Sequence, residues 1–131
     1  MKRASLYQVF VITAVISVAQ TALAEEKTLD ILRIYDQFIM ASKAASSCTQ
    51  PEKDNLDKFL SNFRAVAYRA GEEIKTRQPE WSEKDVLDRM KMRSEYLSQR
   101  VATVIEEKGC KDDRIEDLIK RFEMQSQLNF G

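Results

Sequence analysis

Apolar residues recur every three or four positions along four stretches of this chain, with polar residues between them. That is the period of a helix with one buried face. The first stretch, about Thr28 to Ser46, carries Ile31, Tyr35, Phe38, Ile39, Ser42 and Ala45 on one side. Leu32 and Ile34 widen that stripe, which predicts packing against more than one neighbour. The second, about Glu52 to Thr76, carries Leu56, Phe59, Leu60, Phe63, Ala67, Ala70 and Ile74, close to a heptad seam. The third, about Glu83 to Lys108, carries Val86, Met90, Leu97, Val101, Val104 and Ile105. The fourth, about Arg114 to Gln127, carries Ile115, Leu118, Ile119 and Phe122. No window alternates with period two, so no strand is predicted.

The breaks between these stretches carry their own signals. Pro51, Pro79 and Gly109 fall in the three turns. Ser82 with Asp85 predicts a capping box for the third helix, and Trp81 is placed to staple onto Val86. Asp113 with Glu116 predicts the same device for the fourth. Gly109 suits a left-handed residue closing the third helix, and Pro51 sits where a first helical turn tolerates proline. Gly71 lies inside the second helix, where with Ala67 and Ala70 it predicts either a close helix approach or a bend.

Ahead of the helical stretches the pattern changes. Met1-Lys2-Arg3 is a short basic start, Leu6 to Ala19 is an apolar run, and Ala22-Leu23-Ala24 is a small-x-small site. Residues 1–24 therefore read as a secretory signal peptide of bacterial type, cleaved between Ala24 and Glu25. The run is shorter than the roughly 20 residues a spanning helix needs. The expected mature chain, residues 25–131, is one helical-bundle domain in the periplasm or outside the cell, with no membrane span.

Export changes the meaning of the two cysteines. In an oxidising compartment Cys48 and Cys110 are predicted to form a disulfide. The helical periods give the same result by another route. Short connections make consecutive helices run antiparallel, so the ends of the first and third helices, where the cysteines stand, fall at the same end. The predicted fold is all-α: a single-domain up-down-up-down four-helix bundle stapled by one disulfide.

Composition removes most chemistry. The chain has no histidine, which takes away the commonest general base and transition-metal ligand. Haem attachment, Glu-x-x-His di-iron sites, structural zinc and nucleophilic triads all lack essential residues. No cofactor or metal and no enzymatic activity is expected. Without Lys2 and Arg3 the mature chain has 19 basic and 21 acidic residues, which lacks the basic excess of a general nucleic-acid binder. Acid pairs such as Asp54 with Asp57 and Glu106-Glu107 fall on the wet faces of their helices. Met40, Met90, Met92 and Met124 scatter, with Met90 alone on a clear core stripe.

One polar pattern stands out. Arg89, Arg93 and Arg100, with Tyr96 among them, form a stripe beside the apolar face of the third helix. Arginine and tyrosine are enriched at binding hot spots, so these four are the candidate partner-binding residues. The simpler reading is that arginine stems cover the core edge while their heads pair with acids on neighbouring helices. The tail residues Leu128 and Phe130 either fray, fold back or dock on a partner.

The expected role is non-catalytic binding of another macromolecule, a protein foremost. A periplasmic acid-stress chaperone is the alternative, since protonating 21 carboxylates would leave the bundle strongly cationic and self-repelling. A carrier of a small apolar ligand is a third reading, resting on Tyr35, Phe38, Phe59 and Phe63.

Overall fold

A computed structural model of the protein describes residues 30–130. The signal-peptide expectation lies outside the described residues. Four helices make up the fold: α1 (Ile31–Cys48), α2 (Lys53–Arg77), α3 (Glu83–Lys108) and α4 (Asp113–Gln127). Among the described residues there is no strand, and no helix is long and apolar enough to cross a membrane.

The short α1 is the centre of the packing and touches all three other helices, whereas α3 and α4 barely meet. Its sequence explains this. Ala41, Ala44 and Ala45 are fully buried together with Phe38 and Ile39, so small residues let neighbours approach on several sides. Ala41 and Ala44 were not on the predicted stripe, while Ser42, which was, is only half-buried.

The core is an aromatic stack. The Phe38 ring lies 5.3 Å from Phe59 and 5.8 Å from Phe63, and Phe59 lies 4.3 Å from Phe122 of α4. A second, smaller cluster of Ala44, Val101 and Ile115 packs next to Cys48. There Cys48 and Cys110 are joined, with Cα atoms 5.7 Å apart.

Two parts of the sequence reading are corrected. The buried stripe of α2 runs Phe59, Asn62, Val66 and Ala70, and Leu56 and Leu60 are exposed. The seam is rotated because a polar residue belongs to it: the Asn62 amide donates to the carbonyls of Gln125 and Leu128, at 2.8 and 2.7 Å. Those acceptors lie at the end of α4 and just beyond it. The tail is consequently held, with Phe130 packed on Phe38 at 6.4 Å and Arg69 over the Phe130 ring. The second correction concerns α4, which is capped by Asp112 and not Asp113; its carboxylate accepts from the Arg114 amide at 3.0 Å.

Candidate functional site

The start of α3 is fixed by its cap. The Asp85 amide donates to Ser82 Oγ at 3.1 Å, and the Ser82 amide donates to Asp85 Oδ2 at 2.9 Å. The Ser82 amide and, at 2.8 Å, the Ser82 hydroxyl donate to the Asp85 carboxylate and hold its pKa below the ordinary value. The cap sets the position of Trp81, which packs half-buried against the core cluster containing Val86. Lys75 of α2 ties the same turn by donating to the Trp81 carbonyl.

From Trp81 the predicted stripe runs along α3. The Arg89 guanidinium stands 5.2 Å from the centre of the Trp81 ring. Arg93 crosses to α1, where its Nε and Nη2 donate to the two carboxylate oxygens of Asp36 at 3.1 and 2.6 Å. That hydrogen-bonded pairing pushes the Arg93 pKa up. Tyr96 follows, 54% exposed, flanked by Arg93 at 5.9 Å and Arg100 at 5.8 Å from its ring centre. Positions 89, 93, 96 and 100 are spaced to share one side of a helix, over about 16 Å at 1.5 Å per residue.

The three arginines have different surroundings. Arg93 is spent on a two-pronged pair across helices. Arg89 and Arg100 have no carboxylate partner among the described residues and rest on aromatic faces. The acids nearest Arg89 in sequence are engaged elsewhere, Asp85 with Ser82 and Asp88 with Lys84 at 2.6 Å. One head paired across helices and two heads resting on rings therefore coexist in one stripe. Asp36 and Trp81 belong to the site and were not assigned to it from sequence. The general expectation of acids on neighbouring helices was the only signal for Asp36.

At the Trp81 end of the stripe lies a cavity of about 450 Å³ lined by the apolar Leu32, Tyr35, Ile74 and Met90 together with Asp36, Arg77, Arg89 and Arg93. Tyr35 donates weakly to the Met90 carbonyl at 3.4 Å, and burial pushes its phenol pKa up. Arg77 is paired with Glu73 at 2.7 Å. The site can hold anionic groups next to apolar ones. Without histidine it offers no group that exchanges protons near neutrality. No group of three or more cysteine or acidic residues able to hold a metal ion is present among the described residues.

A second concave surface lies on another side of α3, against α2. It has a volume of about 460 Å³ and a floor that includes Ala67, Gly71 and Val86. Compared with known proteins, the chain matches no family model, no curated protein and no solved structure.

Proposed function

We propose that this is an exported, non-catalytic protein that binds another protein through the arginine–tyrosine face of α3. The reading is carried by Arg89 and Arg100, two guanidiniums stacked on Trp81 and Tyr96 with no acid to neutralise them among the described residues. A stacked guanidinium keeps its donors outward and has already lost much of its rotamer freedom, so pairing with an incoming carboxylate costs less ordering entropy. The partner surface is accordingly acidic. Export rests on the leader pattern of residues 1–24 and is supported by the disulfide, a bond that persists in oxidising compartments. Within the bundle the chain follows an up-down-up-down course, in keeping with connections of four to five residues and with a crosslink joining the ends of α1 and α3.

The test is affinity capture from an extract of the exported fraction, followed by titration of the purified partner. Replacing Arg89 and Arg100 with glutamine is expected to weaken binding at least about tenfold, or ~1.4 kcal/mol, with an unchanged melting temperature. Retained affinity in that double variant sinks the proposal. So does a loss of fold, which would make both residues part of the packing.

A further inference from the structure

The concavity between α2 and α3 combines a hole, exposed apolar side chains and ordered charge. Ala67 and Gly71, one helical turn apart, form a shallow hole. Beside it stand two large apolar side chains, Tyr68 at 70% exposure and Leu87 at 65%. Charge is also ordered along the groove. Arg64 lies toward one end, and Glu72, about 12 Å farther along α2 at 1.5 Å per residue, lies toward the other. Glu83 joins Glu72 there, since it opens α3 beside the 78–82 connection. None of these three charges has an ion pair among the described residues. Lys75, also on the rim, donates to the Trp81 carbonyl and keeps its charge, so the two glutamates leave that end with one negative charge in excess.

A surface carrying both the knobs and the hole, with opposite charges at its two ends, is complementary to itself after half a turn. That is the requirement of a two-fold interface, in which the same patch serves both subunits. We propose that this groove is a dimer interface whose occupant is the same groove of a second copy of the chain. Tyr68 of one subunit covers Ala67 and Gly71 of the other, each Leu87 is buried against the partner's face about a helical turn from the axis, and each Arg64 faces the partner's acidic end. A net charge near zero leaves no long-range repulsion to oppose this.

Sedimentation equilibrium of the oxidised protein over a wide concentration range tests it. The wild type is expected to show a monomer–dimer equilibrium. Leu87→Glu is expected to give monomer throughout, with unchanged helical circular dichroism because the residue is largely exposed. Arg64→Glu should raise the dimer dissociation constant at least tenfold, and adding Glu72→Arg and Glu83→Arg should restore it. Should Leu87→Glu lose its fold, Tyr68→Ser serves in its place and is expected to give the same monomer. A wild type that stays monomeric overturns the proposal, as does a dimer that survives these changes and therefore uses another face. Binding of an amphipathic helical peptide to a monomeric wild type would assign the groove to a foreign partner and equally overturn it. The Arg89 and Arg100 variants should leave the dimer mass unchanged, so this inference and the α3 binding face fail independently.

Discussion

Asn62 stands within the apolar stripe of α2, and its amide is the clearest case here of one side chain organising distant backbone. Its two donors reach carbonyls 63 and 66 residues away, at the point where α4 runs out of intrahelical partners. Replacing it with alanine strands those acceptors in a part-buried place and should cost about 1–3 kcal/mol, read from urea unfolding. The sequence pattern missed it because a binary reading assigns asparagine to the surface. Gly71 has the opposite character. A Cβ placed there would lie 3.6 Å from Met90 Sδ, an ordinary contact, so close approach does not require glycine. Gly71→Ala should therefore stabilise the fold by about 0.5–1 kcal/mol through helix propensity and a stiffer unfolded chain. An unchanged or lower unfolding midpoint would contradict this. Arg93 is the third instructive residue. Its pair with Asp36 is half-exposed on the arginine side, so Arg93→Gln should lower stability by only about 0.5–1 kcal/mol.

The helices show how far local chemistry reaches. The bounds of α3 match the expected Glu83 to Lys108, because a capping box opens it and Gly109, at φ 81°, closes it. Where such signals are doubled, the sequence was one residue out: Asp112 and Asp113 both suit the cap of α4, and the Arg114 side chain, which also donates to Asp112 at 2.9 Å, favours the first. The arginine stripe was legible as a pattern, but its division into one guanidinium anchored on an acid and two with no acid partner among the described residues depends on where α1 places Asp36. The caps also carry a pH dependence. Asp85 is held below its ordinary value of 3.8 mainly by the Ser82 amide, and Asp112 mainly by the Arg114 side chain. Each contributes stability that is complete above the unfolded-state pKa and fades as pH falls through the lower folded value. Protection of the first-turn amides of α3 and α4 against hydrogen exchange, taken relative to the intrinsic rate at each pH, should fall on acidification below the ordinary carboxylate range, while Asp85→Ala should remove this pH dependence for α3 only. An equal loss of protection in Asp85→Ala and wild type would show that the cap does not set the response.

At the scale of the whole molecule, the chain folds around its shortest pre-turn helix and is locked at one end. The crosslink between Cys48 and Cys110 closes a 62-residue span, for which the loop-entropy relation gives about 4 kcal/mol. Changing both cysteines to serine should remove roughly that much stability while keeping the helical circular dichroism, and an unaltered denaturation midpoint would refute it. Pairing of the cysteines was expected on two separate grounds, the leader pattern and helix counting, and Cys48 and Cys110 are bonded. The central place of α1 was not legible, since its alanines look identical whether one neighbour or three approach them. The crosslink also makes α2, the 78–82 connection and α3 a covalent ring. A protease that cuts the exposed connection once therefore opens the ring without releasing a fragment. The nicked chain should migrate as one species on a non-reducing gel and fall into two only after thiol treatment, so a single proteolytic event leaves the molecule in one piece.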